Sequence, residues 1–257
     1  MHISFTHRAQ TFHADLSQPI DLSIRLKAGL DTVNCFWAPP VEYMPVIAGS
    51  FIGSTALGGP VNFFNIRVNP HGNGTHTECV GHIAKEPYIL GDCLLEHHFI
   101  AKLVSLYPRK TEEGDRVLFR DQLEAVLAKN EVDALIIRTL PNDDLKLRTN
   151  YSGANAPYLH HEAAQYLADC GIRHLLLDLP SVDREEDGGH LLAHKAFWQY
   201  PENPRKECTI TELIYVPGTV PDGYYLLNIQ TANFDLDASP SRPVVFALNP
   251  PDYTSDK

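Results

Sequence analysis

The stretch Pro70–Ile83, PHGNGTHTECVGHI, places His71, His76, Glu78 and His82 within a dozen residues. Three imidazoles and a carboxylate are the ligand set that a divalent transition metal takes, so the fold has to present them to one centre. In extended backbone alternate side chains share a face, and His76 and Glu78 therefore project together. His82 keeps that parity if the strand runs on. His71, five residues before His76, falls out of phase. The Gly72-Asn73-Gly74 turn removes the difficulty, because glycine tolerates the positive φ that lets a loop fold back. A polar loop whose histidines merely bond backbone is the bland alternative; the closeness of four candidate ligands favours metal.

At 257 residues the chain is expected to form a single domain over 1–257, with an extended N-terminal arm over about residues 1–50. A hydrophobic content of 44% supplies a sizeable core. The formal net charge of −11 argues against nucleic acid or an anionic membrane as partner; a small-molecule substrate is expected, although the charge itself does not identify it. The five cysteines are odd in number and form no CxxC pair, which fits a reducing compartment. No apolar signal core opens the chain and no 18-residue apolar run occurs in it, so a cytoplasmic location is expected.

Along the chain, residues 15–70 read as β-rich and irregular, with Val61–Val68 the clearest strand. The middle alternates. Asp121–Lys129 carries Leu123, Val126 and Leu127 at helical spacing, and Ala134–Leu140 follows as a buried strand. Glu162–Cys170 reads as a second helix stopped by Gly171, and Arg173–Leu179 as the next strand. Strands return at Thr211–Val216, Tyr224–Thr231 and Pro243–Leu248. The class is α/β, with helices packed on a sheet.

These residues resemble the cyclase family of metal-dependent hydrolases, whose best-known activity is kynurenine formamidase (arylformamidase). The signature of a histidine, GTH, an acidic residue two on and a further histidine is similar to His71, Gly74-Thr75-His76, Glu78 and His82. Asp15-Leu16-Ser17-Gln18-Pro19-Ile20 resembles the family's opening, followed by an aromatic-proline element like Trp37-Ala38-Pro39. Asp178-Leu179-Pro180-Ser181-Val182-Asp183, Ala193-His194 and Glu212 resemble its later segments, in the same order. Three departures mark a divergent branch: His71 stands five rather than four residues before His76, glutamate replaces aspartate at 78, and valine replaces proline at 80.

The resemblance implies a swivelling β/β/α fold in which mixed β-sheets form a barrel-like core with flanking helices. It implies one or two divalent ions, Zn2+ or Mn2+, with His71, His76 and Glu78 on the first and Glu78, His194 and Glu212 on the second. His82 would be the catalytic histidine, passing a proton between water and the leaving group. The implied reaction is hydrolysis of a C–N amide bond. A cyclic amide or lactone, as in isatin-hydrolase-like relatives, and a metal- or ligand-binding member without catalysis are the alternatives. A homodimer or homotetramer is implied as well.

Other residues carry weaker claims. His190 and His194 stand at i, i+4, and for His190 a polar loop is as good a reading as a site role. Glu212 lies in an apolar stretch and needs a partner: a metal, an arginine such as Arg205, or a backbone N–H. Phe36 and Trp37 are candidates for an aromatic wall against a flat substrate, with core packing as the alternative. Cys79 should point away from the ligands as a small buried side chain. The His97-His98 and His160-His161 pairs read as structural or solvated.

Overall fold

The structure, a computed structural model, describes residues 1–249. The strands of the main sheet, in chain order, are β1 His2–His7, β2 Gln10–Asp15, β3 Ile20–Asp21, β4 His76–Glu78, β5 His98–Leu106 and β6 Ala134–Thr139. They continue with β7 His174–Leu177, β8 Thr209–Glu212, β9 Gly223–Asn228, β10 Ala238–Pro240 and β11 Val244–Asn249. The helices are α1 Pro70–Asn73, α2 Leu90–Cys93, α3 Arg120–Glu124, α4 His161–Asp169 and α5 Leu192–Trp198. Spatial order runs β1-β2-β11-β9-β5-β6-β7-β8-β4-β10, with β3 also on β11. Pairing is parallel from β5 to β8 and antiparallel elsewhere in this sheet.

In the central strands β6 and β7 the runs 134–137 and 175–177 are apolar and buried because both faces are covered. Leu135 and Ile137 of β6 face the cluster shared with α4 and α5, whereas Ala134 and Ile136 face a second cluster with Phe99, Leu103 and Tyr225. β7 divides the same way, Leu175 and Leu177 against Leu176. Each large aliphatic side chain buried so completely contributes roughly 1.5–3 kcal/mol. α4 packs between α3 and α5 on the first face.

The class read from the sequence, α/β with a mixed sheet, is present, but the barrel-like core is not. The sheet is open, with β1 at one edge and β10 at the other. The reason is local: the β1–β2 hairpin extends the β11 edge, and its outer strand alternates exposed and half-buried residues without meeting β10. Among the described residues, no helix is long and apolar enough to cross a membrane.

Several elements are shorter than periodicity suggests. The expected helix over 121–129 closes after Glu124, with Ala125, Val126 and Leu127 in a tightening turn. The strand expected over 61–68 is only Phe64–Arg67, exposed throughout and paired with Glu42–Pro45 in a separate ribbon. The strand at 211–216 shifts to Thr209–Glu212, since Leu213 takes a positive φ of 54° that ends the extended run.

Candidate metal centre

β4 is the floor of the cluster. His76, Thr77 and Glu78 are all buried. β8 pairs with β4 in antiparallel register, setting Glu212 opposite His76 and Thr211 opposite Thr77. Alternation does the rest: Thr77 and Thr211 meet by their hydroxyls at 2.8 Å on one face, while His76 Nε2 lies 3.4 Å from Glu212 Oε2 on the other. Thr75 fastens the two segments, its hydroxyl donating to the Leu213 carbonyl at 2.5 Å and accepting the Ile24 N–H at 2.8 Å. Glu212 finds a backbone partner as well, accepting the Val182 N–H at 3.0 Å. Arg205 is occupied elsewhere, donating to the carbonyls of Phe197 and Ile172.

His71 arrives on the single turn α1. Asn69 caps it, accepting the Gly72 N–H at 3.1 Å, with Pro70 in the first turn. Gly72 is required by space, for a Cβ there would fall 2.3 Å from the Ala38 methyl carbon. The turn brings His71 Nδ1 to 3.0 Å from Glu78 Oε2, absorbing the odd spacing to His76. His82 comes by a different path from the one parity suggests. β4 stops at Glu78, and a 3-10 turn over Val80–His82 swings the ring back until Nδ1 is 3.7 Å from Glu78 Oε2.

His194 enters from α5. Asp183 receives the Ala193 N–H at 2.8 Å and the His194 N–H at 3.1 Å, and takes His194 Nδ1 at 2.6 Å. This leaves His194 Nε2 at 3.3 Å from Glu78 Oε1 and 3.9 Å from Glu212 Oε1. His190 precedes α5 in an exposed loop and shares no helical face with His194.

Electrostatics follow from this convergence. Burial alone would raise the Glu78 pKa, but His82, His194 and His71 around it hold its carboxyl well below the usual range. Burial pulls His71 and His194 down, yet carboxylates outweigh it and push each up to about 10: Asp237 and Glu78 for His71, Asp183 and Glu78 for His194. A proton and a metal compete for the same lone pairs, so these are the sites at which a cation would replace protons.

The fit to a cation rests on orphaned atoms. His76 Nε2, His194 Nε2 and both Glu78 oxygens are buried without a hydrogen-bond partner among the described residues, although each lies within ion-pair distance of another. Such groups are costly to bury unless something fills the space between them. Ligand atoms of His71, His76 and Glu78 lie within 4.8 Å of one another, as do those of Glu78, His82 and His194. The nitrogen-and-oxygen donor set suits a divalent transition ion.

One contributor had no signal in the sequence. Asp237 Oδ2 lies 3.0 Å from His71 Nε2 and 3.7 Å from His82 Nδ1, and is also within 4.8 Å of suitable ligand atoms on both. It is 166 positions from His71, and only the pairing of β10 with β4 brings it there. Asp183 was visible within a motif, but not as the partner of His194. A cavity of about 410 Å3 adjoins the cluster, lined by His71, Asp237, Arg67, Asn73 and Pro39 among others.

The remaining candidates sort by burial. Cys79 packs on the opposite face from the ligands in the second core cluster, and all five cysteines are free and buried. Phe36 and Trp37 are 38% and 77% exposed; they follow Cys35, whose N–H bonds the Gly72 carbonyl of α1. His98 bonds Asn228, and His160 accepts the Glu162 N–H at the start of α4.

Comparison with known proteins gives a family and a fold. Residues 14–184 match the model of the family described as "Putative cyclase". A "predicted metal-dependent hydrolase from Bacillus stearothermophilus" superposes with a TM-score of 0.62 at 18% identity, over 89% of this chain and 98% of that one. A "potential metal-dependent hydrolase with cyclase activity" gives 0.62 at 17% identity, over 91% and 99%. An isatin hydrolase bound to the product analogue thioisatinate gives 0.56 at 15% identity, over 90% and 93%. No curated protein matches the chain in sequence.

Proposed function

The chain belongs to the cyclase family, and from that premise we propose that it is a metal-dependent hydrolase that opens an amide bond, of the arylformamidase type. The observation that carries the reading is the meeting of His71, His76, Glu78, His194 and Glu212 from four separate segments with inward atoms left orphaned. His71 Nδ1, His76 Nε2 and Glu78 would hold one ion, Zn2+ or Mn2+; Glu78, His194 Nε2 and Glu212 would hold a second. When bound, such an ion polarises a carbonyl and makes water acidic near neutrality.

The protein's own residues supply the proton path. His82 stands at the rim, its side chain 31% exposed, within reach of both the buried carboxylate and solvent. It takes a proton from the water that adds to the carbonyl carbon, and returns it to the amine nitrogen as the C–N bond breaks. Asp183 keeps His194 in the tautomer with Nε2 free. Phe36 and Trp37, near the α1 turn, are the aromatic groups offered to a flat substrate.

A cyclic amide is the second reading, supported by the likeness to isatin hydrolases at the level of fold. Metal analysis of protein purified without chelator, followed by rates on N-formyl aromatic amines, isatin and simple lactones, tests both. Metal-loaded protein that hydrolyses none of them would overturn the enzymatic reading in favour of a binding protein. We also propose that the chain forms a homodimer or homotetramer through the segment 30–66, where eleven of the twenty exposed large apolar side chains among the described residues lie.

A further inference from the structure

Three histidines of the cluster obey one rule. Each has one ring nitrogen engaged by an oxygen and the other facing Glu78 or Glu212. His76 engages the Gly74 carbonyl through Nδ1 at 2.9 Å, and His194 engages Asp183 through Nδ1 at 2.6 Å, so both present Nε2. His71 is reversed. Its Nε2 meets Asp237 at 3.0 Å and its Nδ1 faces Glu78. The reversal follows from the α1 turn, which delivers the ring from the other side.

A neutral imidazole carries its proton on either nitrogen, and the choice is set by what the far nitrogen bonds. For His76 the acceptor lies two residues away in the same loop, and for His194 it caps the helix that carries it. For His71 it comes from the far end of the chain. Asp237 is held there by backbone: its carbonyl accepts the Cys79 N–H at 3.0 Å, and the next residue, Ala238, pairs with Glu78. Its side chain is 31% exposed, so core packing does not explain a carboxylate at this position.

We propose that Asp237 is a positioning residue of the metal centre, accepting the Nε2–H of His71 and thereby fixing the tautomer that aims Nδ1 at Glu78. This rests on the metal-dependent reading above. Without the carboxylate the ring is free to rotate and to protonate Nδ1, which removes one ligand. Partners that orient a ligating histidine typically matter by about 10- to 100-fold in metal affinity.

The test compares wild type, Asp237→Asn and Asp237→Ala as full-length apo-proteins titrated with Zn2+ against a competing chelator. Asp237→Ala is expected to bind Zn2+ about 10- to 100-fold more weakly. Asp237→Asn, which keeps an oxygen acceptor and nearly the same shape, is expected to fall between. Imidazole 15N spectra of the Zn2+-loaded wild type should show His71 protonated on Nε2 and ligating through Nδ1, a signature that a merely structural role would not produce. Affinities equal within twofold across all three proteins, or a loaded His71 protonated on Nδ1, overturn the assignment. Should Asp237→Ala fail to fold, the asparagine variant and the wild-type spectrum decide alone. A wild type that takes up no Zn2+ defeats the metal reading itself, whereas a wild type that binds tightly alongside equally tight variants defeats only the role of Asp237.

Discussion

The cluster around Glu78 and the ribbon from Tyr43 to Ile66 invert the ordinary partition of a protein in opposite senses. In the first, His76, Glu78, His194 and Glu212 are buried, with Glu78 and His76 almost wholly sequestered. In the second, Ile47 and Ile66 stand 65% and 64% exposed on a ribbon of two-stranded pairs. Buried charge needs a counter-charge or a cation, and exposed apolar surface in quantity needs a covering surface. On the readings proposed above, the two regions teach the same lesson: each would take something that a single bare chain does not supply. For the cluster the proposed occupant is a divalent ion, for the ribbon another copy of the chain.

The contrast breaks most sharply at Glu78. Glu78→Gln leaves the shape and removes the charge that His71, His76, His82 and His194 surround. Metal affinity should drop by about 100-fold or more and turnover should become undetectable, as read by metal content after dialysis and by the substrate panel. A variant that retained its metal would show that charge at this position is dispensable. Next in size, His82→Ala should keep its metal and lose turnover by about 10²- to 10⁴-fold; unchanged turnover would remove His82 from the proton path.

His174 sharpens the comparison, being a buried imidazole outside the cluster. Burial, reinforced by Arg173 and Arg205, pushes its pKa down to about 3. Its folded pKa therefore lies below its unfolded value near 6.5. Its contribution to stability is fully present above that value and is lost as pH falls from about 6.5 toward 3. His174→Gln should flatten the acid limb of stability over that window by at most about 5 kcal/mol relative to the parent; parallel acid limbs would refute it. The smallest effect on the folded chain is expected from Ile66→Asp. Chemical unfolding of the monomer should change by about 0.5 kcal/mol or less, while sedimentation shifts toward the monomer. An unaltered assembly would place the interface elsewhere.

Legibility in the sequence tracked distance along the chain. His71, His76, Glu78 and His82 were readable together because their spacing is local, and the parity of His76 and Glu78 is what places Thr77 on the far face. The central strands were readable as apolar runs. Glu212 stood out as a carboxylate in an apolar stretch and His194 by its spacing to His190, but only the resemblance joined them to the cluster, since nothing near them states that β8 will lie against β4 in this register. Asp237 escaped both routes: residues 234–239 alternate apolar and polar, but β10 has only three residues and nothing local says that it will pair with β4. The shortened helix at Arg120–Glu124 and the open sheet escaped for a related reason, because closure and termination depend on which surfaces meet.

The ladder between β4, β8 and β10 has a consequence for how this chain can vary. Side chains on a strand repeat every two residues, so gaining or losing one residue inside His76–Glu78 would turn the imidazole and carboxylate outward and the threonine inward. The bend at Gly72–Gly74 has no such phase to keep. A change of length at α1 therefore displaces His71 alone and leaves the ladder in phase, whereas one inside the ladder turns the whole set of inward side chains away.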